Sequence, residues 1–122
     1  MHEMSLLQGI LDSVTPVARE NHATKVTKIV LDIGVMTQVV EEVMDFDYKI
    51  LTEDDPLYSG SELVMNFLTP RSRCFDCGEE FEHDRFHLKC PKCGSSATML
   101  LSGRELKIAS IEIDTPDDVD EP

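Results

Sequence analysis

Apolar residues recur every three or four positions in the first part of the chain, and this spacing places them on one face of an α-helix. The pattern predicts a first helix from Met4 to about Asn21. Pro16 lies inside it and is expected to kink the helix or to end it early, because proline removes a backbone donor and crowds the preceding turn.

A second helical pattern predicts a helix from about Gln38 to Leu51. Thr37 is its predicted N-cap, because a threonine hydroxyl can accept a hydrogen bond from an amide of the first helical turn. We expect the apolar stripe of this helix to be buried in the core. The stripe comprises Val39, Val43, Phe46 and Ile50.

Three other segments alternate apolar and polar residues, which is typical of a strand with one buried face. They are Lys25–Ile33, Glu62–Phe67 and Arg104–Ile113. The order of elements is therefore helix, strand, helix, strand, an insert and a last strand. This order predicts an α+β fold with a three-stranded sheet, two helices on one face of the sheet, and an inserted module before the last strand.

The insert contains four cysteines in two matched pairs, Cys74/Cys77 and Cys90/Cys93, each spaced C-x2-C and followed by glycine. Two such knuckles at close range build a tetrahedral set of thiolates, which selects zinc first and iron second. The insert is therefore predicted to be a zinc ribbon. The alternatives are two disulfides, which the absence of an apolar signal segment disfavours, and a rubredoxin-like iron site, which the few aromatics of the insert disfavour.

Charge and hydropathy restrict the partners that the chain can have. The net charge is −13, from 24 acidic and 11 basic residues, and it disfavours the phosphate contacts of a ribbon that binds nucleic acid. No stretch approaches the ~20 apolar residues of a membrane span. We expect a cytoplasmic protein with an acidic flexible tail over residues 116–122.

The chain begins with Met1-His2-Glu3, and this position gives His2 a chemistry that an internal histidine lacks. The α-amine of the chain, the backbone amide of His2 and the Nδ1 atom of His2 can close fused chelate rings. Alternatively, His2 Nδ1 can combine with the backbone nitrogens of His2 and Glu3. In-plane nitrogen donors suit Ni(II) or Cu(II). The Glu3 carboxylate adds a ligand or tunes the site from outside it. The alternative is an N-terminus that only starts the first helix.

Two histidines, His83 and His87, lie between the cysteine pairs. Either is a candidate to replace a cysteine in the metal site or to sense pH near it, and the alternative is a solvated loop. A closed four-cysteine site leaves no open coordination position, and the chain has no phosphate-binding glycine loop. We therefore expect no enzymatic activity, and a zinc-ribbon adaptor is the rival to a metal-handling protein.

Together these features resemble the HypA/HybF family of nickel metallochaperones for NiFe-hydrogenase maturation. The resemblance rests on the Met1-His2-Glu3 start, the strand from Val26 to Gly34, the two cysteine knuckles and the segment from Ser102 to Ile108. It spans the chain from Met1 to about Asp114 and includes the order of elements.

The resemblance implies a nickel-binding α+β domain over residues 1–70 and 101–115 and a zinc-ribbon domain over residues 71–100. It implies that His2 is the essential ligand of a transient Ni(II) cargo, that Glu3 assists, and that the four cysteines hold structural Zn(II). Delivery would be to the large subunit of NiFe hydrogenase, in concert with the nickel GTPase HypB, and some family members also serve urease maturation proteins. The oligomeric state, monomer or homodimer, stays open.

Overall fold

The computed structural model describes residues 3–116. Within this range no helix has the length and apolar content that crossing a bilayer requires. Of the predicted acidic tail only Pro116 is described, and Met1 and His2 also lie outside the range. Helices and strands follow one another as α1 (Glu3–Glu20), β1 (Lys25–Gly34), α2 (Glu41–Thr52), β2 (Glu62–Leu68), β3 (Arg71–Cys74), β4 (Glu80–Glu82), β5 (Thr98–Ser102) and β6 (Leu106–Asp114).

The α+β class and the three-stranded sheet predicted from the sequence are confirmed, and the strands of this sheet lie in the order β2-β1-β6. Thr27 Oγ1 on β1 donates to the backbone oxygen of Glu112 on β6 at 3.1 Å. Buried side chains recur at every second position near the end of β1, at Ile29, Leu31 and Ile33. One face of this central strand is therefore covered, as its alternating sequence predicts.

The chain divides into two compact units. The first contains the described residues up to Leu31, the segment Val39–Met65 and the residues from Ile108, and the second contains Asp32–Gln38 and Asn66–Lys107. In the first unit α1 and α2 contact each other. The predicted domain boundaries at 70/71 and 100/101 stay a prediction. The core of the first unit includes Leu7, Leu11, Val14, Ala18, Val26, Ile29, Leu31, Met44, Tyr48 and Tyr58.

The second unit contains a further three-stranded sheet, in which β3 pairs antiparallel with both β4 and β5. Ser72 lies opposite Phe81 on one side and Leu100 on the other, after a register shift between Arg71 and Ser72. These strands are three to five residues long, so their side-chain alternation is too short to stand out in the sequence. The sequence pattern therefore does not predict β3, β4 or β5.

Of the expectations about the helix ends, the N-cap of α2 is wrong. α1 continues through Pro16 to Glu20, so the proline does not end the helix early, and the alternative effect, a kink, stays a prediction. α2 begins at Glu41 after Val40, which has no side-chain cap, whereas Thr37 lies in a preceding 3-10 turn where its hydroxyl donates to the carbonyl of Gly34 at 2.8 Å. Gln38 adopts a left-handed φ of 63°, and a residue in this conformation cannot continue a right-handed helix.

The predicted burial of the apolar face of this helix is also wrong. Val39 precedes α2 and is only half-buried. The other three members, Val43, Phe46 and Ile50, are exposed. Instead α2 buries Met44, Tyr48 and Thr52. The polar atoms of these buried residues are satisfied locally. The Tyr48 hydroxyl lies 2.6 Å from Ser61 Oγ, and the Thr52 hydroxyl donates to the carbonyl of Tyr48 at 2.7 Å. Residues with a polar tip can therefore occupy the core without the usual cost of an unpaired group.

Two glycines allow a close backbone approach within the second unit. The Gly34 amide donates to the Glu105 carbonyl at 2.7 Å, and the Met36 amide donates to the Gly103 carbonyl at 2.8 Å. A Cβ on Gly34 would overlap the backbone of Gly103, which itself has a φ of 129°. Glycine is required at both positions for steric and conformational reasons.

Candidate metal centres

Two equivalent turns carry the four cysteines. In the first, the Gly78 amide donates to the carbonyl of Cys74 at 2.9 Å, and in the second the Gly94 amide donates to the carbonyl of Cys90 at 2.8 Å. The two glycines have φ values of 77° and 74°, which other residues adopt only with strain. The glycine that follows each C-x2-C pair therefore lets the chain close the knuckle, as the sequence predicts.

The two turns place the four sulfur atoms within 4.8 Å of one another. Cys74 Sγ lies 3.5 Å from Cys93 Sγ, and Cys77 Sγ lies 3.6 Å from Cys90 Sγ. All four cysteines are free thiols, so the disulfide alternative does not describe this structure. A tetrahedral zinc ion with Zn–S bonds of about 2.3 Å requires sulfur–sulfur separations of about 3.8 Å. The donor type and the spacing both fit zinc.

Hydrogen bonds and neighbouring sulfurs shift the pKa values of these thiols in opposite directions. The Cys77 amide, followed by smaller contributions, lowers the pKa of Cys74 to about 7. The Ser95 amide favours the thiolate of Cys93, but the Cys74 sulfur and the other nearby thiols outweigh it and raise the pKa of Cys93 to about 12. Four thiolates at this separation repel one another, and a divalent cation removes that conflict when it is bound.

Side-chain and backbone hydrogen bonds hold the two knuckles together. The Ser95 hydroxyl, just after the second knuckle, donates to the carboxylate of Asp76 inside the first. The Phe75 amide donates to the carbonyl of Ala97 at 2.9 Å. Cys74 and Cys90 are buried beside Phe81, whereas the second cysteine of each knuckle is exposed. Half of the ligand set is thus anchored in the core of the second unit.

His83 is not among the groups gathered at the sulfur cluster in residues 3–116. Its Nδ1 lies 2.6 Å from the carbonyl oxygen of Asp84, and its Nε2 lies 2.7 Å from the Ser72 hydroxyl. A carbonyl can only accept, so in the neutral imidazole Nδ1 carries the proton and Nε2 accepts from Ser72. The ring is buried and lies 5.5 Å from the Phe81 ring between centroids. Both nitrogens are engaged in hydrogen bonds within the second unit.

His87 pairs with Asp84 on the surface. Its Nδ1 lies 2.7 Å and 2.8 Å from the two carboxylate oxygens, and the backbone amides of Phe86 and His87 also donate to Asp84. Hydrogen bonding from the His87 side chain, followed by the Phe86 amide, lowers the pKa of Asp84. This arrangement is a local loop closure, and it leaves His87 outside the sulfur cluster.

The second predicted metal site falls mostly outside the described residues. Met1 and His2 are not described, and Glu3 is the first residue of α1. The Val40 amide donates to Glu3 Oε2 at 3.4 Å, so the Glu3 carboxylate lies at the N-terminus of α2. A negative charge there interacts favourably with the helix dipole. Nickel ligation by His2 and Glu3 therefore stays a prediction.

The sequence reasoning did not predict the polar contacts of the candidate ligands with their neighbours, which are Ser72 with His83, Asp84 with His87, and Glu3 with Val40. Only the second had a local signal, because an aspartate in a loop commonly accepts from the amide two residues on. The other two join residues 11 and 37 positions apart, which sequence spacing alone does not pair.

The sequence model of one protein family matches residues 1–113, and that family is described as "Hydrogenase/urease nickel incorporation, metallochaperone, hypA". The chain belongs to the HypA family. Two curated HypA relatives, each called hydrogenase maturation factor HypA, show how complete the match is. The protein of Aquifex aeolicus is 34% identical over 114 residues, covering 93% of this chain and 98% of the relative, and that of Chlorobaculum parvum is 38% identical over 114 residues, covering 93% and 100%.

The fold agrees with solved HypA structures. The solution structure of the Ni metallochaperone HypA from Helicobacter pylori matches with a TM-score of 0.67 at 22% identity, over 94% of this chain and 99% of that one. HypA proteins are metallochaperones for nickel incorporation into hydrogenase or urease, and they are not enzymes. The family resemblance and the expectation of no enzymatic activity are thereby confirmed. Membership also implies partners in hydrogenase maturation.

Proposed function

We propose that this protein binds Ni(II) at its N-terminus and delivers the ion to the large subunit of NiFe hydrogenase, with a structural Zn(II) in the four-cysteine site. The observation that carries the proposal is the family match over residues 1–113, which includes both the Met1-His2-Glu3 start and the two knuckles. The four sulfurs within 4.8 Å of one another support the zinc part.

His2 is the essential nickel ligand in this proposal, and Glu3 assists. Nitrogen donors from a chain terminus suit Ni(II), and a site with few ligands can be dismantled by a recipient. The closed thiolate site suits the opposite task, because four cysteines on two tight turns hold their ion permanently. The nickel-binding domain would comprise residues 1–70 and 101–115, and the zinc ribbon residues 71–100.

The partners belong to the same proposal. The family resemblance implies that the nickel GTPase HypB acts with this protein. Because the chain has no phosphate-binding glycine loop, any GTPase activity would come from that partner. Urease maturation proteins are a second destination, which the family description supports by naming urease. A cytoplasmic location is part of the same proposal, because a thiolate zinc site requires a compartment in which thiols stay reduced.

Calorimetric titration of Ni(II) into the untagged, zinc-loaded protein tests the proposal. The matched variants are His2→Ala and a chain with one residue added before Met1, and zinc content is assayed in all three. We expect one nickel site in the parent, its loss in both variants, and unchanged zinc. Equal nickel binding in all three proteins would refute the N-terminal site and return the chain to a zinc-ribbon adaptor.

The pH dependence gives a second test of the same site. Nickel must displace a proton from the imidazole of His2, so loading is expected to collapse below about pH 6, near the ordinary titration of histidine. Nickel affinity that stays flat from about pH 7.5 to about 5.5 would exclude an imidazole ligand.

A further inference from the structure

α2 carries a second apolar face that the fold leaves uncovered. Its members, here called the α2 stripe, are Val43, Phe46 and Ile50, with exposed fractions of 41%, 64% and 47%. At 3.6 residues per turn they fall within about 60° of one another around the helix axis. They therefore form one ridge along the helix and not three scattered surface residues.

The core of the first unit does not need this ridge. The buried side of α2 presents Met44, Tyr48 and Thr52, which point away from the α2 stripe around the helix. Tyr48 is 1% exposed, and its hydroxyl is already hydrogen bonded to Ser61. One face of α2 packs in the core of the unit, and an apolar ridge remains exposed on the other face. An exposed apolar ridge of this kind is typical of a binding surface.

Carboxylates border the α2 stripe on both sides. Asp47 lies on one side, and Glu42 and Glu53 lie on the other. Among residues 3–116, no ion pair joins any of these three to a cation. The nearby Lys49 is paired with Asp45 at 3.3 Å, so it does not neutralise them. The ridge is thus apolar along its top and anionic along its flanks.

We propose that the α2 stripe docks a cationic amphipathic helix of a partner protein. Three apolar side chains at helical spacing match the apolar face of a second helix, and flanking lysines or arginines would meet Asp47, Glu42 and Glu53. Charge complementarity selects this occupant. A second copy of the chain or an anionic membrane would bring negative charge against a protein of net charge −13. The proposal concerns partner docking and does not depend on nickel binding.

A defined probe tests the docking surface on the full-length zinc-loaded protein. It is a fluorescent leucine–lysine peptide of about 20 residues with a helical amphipathic pattern, and the comparison is a scrambled peptide of the same composition. Fluorescence anisotropy is expected to show saturable binding of the amphipathic peptide only. Phe46→Ser is expected to weaken this binding by at least about tenfold.

The chain offers a matched control for the apolar part. Phe86 in the second unit is 75% exposed, compared with 64% for Phe46, so Phe86→Ser removes the same exposed side chain from a different surface. It is expected to leave peptide binding unchanged. Equal loss in Phe46→Ser and Phe86→Ser, or loss in neither, overturns the proposal. Both side chains are exposed, so neither variant removes a core group, and far-ultraviolet circular dichroism checks that both remain folded.

A second pair of variants tests the charge part. Glu42→Gln/Glu53→Gln removes two charges beside the α2 stripe, and Asp12→Asn/Glu20→Gln removes two charges from α1. The first pair is expected to weaken peptide binding and to reduce its salt dependence, while the second has a smaller effect. Equal effects would mean that only net charge attracts the peptide, which contradicts a local surface.

The other two occupants are outcomes of the same design. Sedimentation equilibrium that shows a dimer in the parent and a monomer in Phe46→Ser would assign the α2 stripe to a second copy of the chain. Flotation with phosphatidylglycerol vesicles that is lost in Phe46→Ser would assign it to a membrane. Either result overturns the proposal that the α2 stripe binds a helix of a partner protein.

Discussion

Replacing Ser72 by alanine tests whether His83 is a structural residue of the second unit. The Ser72 hydroxyl donates to His83 Nε2 at 2.7 Å, and the two residues are 3% and 9% exposed. Alanine keeps the β-carbon and removes only the donor. The imidazole nitrogen then has no partner in a site where water has little access.

The expected loss of stability depends on whether the buried acceptor is left without any donor. Leaving a buried acceptor without a donor costs about 1–3 kcal/mol, whereas a hydrogen bond exchanged with water contributes only about 0.5–1.5 kcal/mol. Because the remaining Nδ1 bond to Asp84 holds the ring in place, the ring cannot easily turn toward solvent. We therefore expect Ser72→Ala to lower the free energy of unfolding by about 1–3 kcal/mol.

Urea unfolding of the zinc-loaded protein measures this change, with Ser96→Ala as the control. Ser96 is exposed in the same unit, and its substitution is expected to change the free energy by no more than about 0.5 kcal/mol. Zinc content and the absorption spectrum of the cobalt-substituted protein are recorded for both variants. We expect one metal ion per chain and an all-thiolate spectrum throughout.

Two results would contradict this reasoning. An unfolding free energy equal to that of Ser96→Ala would mean that the hydrogen bond to His83 does not stabilise the unit. A cobalt spectrum that loses or gains nitrogen ligation on Ser72→Ala would mean that His83 enters the metal site, the alternative raised from the sequence.

Three further outcomes are expected. Gly34→Ala should lose about 1–3 kcal/mol of stability, because its Cβ overlaps the Gly103 backbone; Gly9→Ala, with open space around it, should gain about 0.5–1 kcal/mol, and an equal response in urea unfolding would contradict the clash. Tyr48→Phe should cost about 0.5–1.5 kcal/mol through the lost bond to Ser61, and an unchanged urea midpoint would count against it. Zinc binding to the zinc-free protein at pH 7 should release protons, since the pKa of Cys93 is raised to about 12 and the pKa of Cys77 is also raised. Zinc affinity should therefore rise with pH. Calorimetric heats that do not depend on the buffer would exclude this proton release.

Most of the fold could be predicted because its main elements are long segments with a clear periodicity of apolar residues. The stripe of α1 and the alternation of β1 each persist over about ten residues or more, and their limits were predicted to within one or two residues. The four-cysteine site was predictable for a different reason. Each C-x2-C-G knuckle is a complete local unit, whose ligands and turn glycine lie within five residues.

The failures arise where two faces of one element compete. α2 has apolar residues on opposite sides, and the side with fewer purely apolar members is the buried one because Tyr48 and Thr52 find hydrogen-bond partners. These partners are the Ser61 hydroxyl and the Tyr48 carbonyl, and a pattern of apolar residues contains no information about them. The periodicity therefore predicts burial of the wrong side of α2.

The contrast between the proposed nickel site and the four-cysteine site follows from where their candidate ligands are attached. Cys74 and Cys90 are buried in the second unit, and a hydrogen bond from Ser95 to Asp76 joins the two knuckles, so half of the four-cysteine set belongs to the core. Glu3 lies instead at the start of α1, where its carboxylate holds one long hydrogen bond to the Val40 amide at 3.4 Å. A long, exposed hydrogen bond of this kind contributes at most about 1.5 kcal/mol, which a metal contact can replace. A ligand that can move at so little cost suits a cargo ion, and a ligand set built into the core suits a resident one.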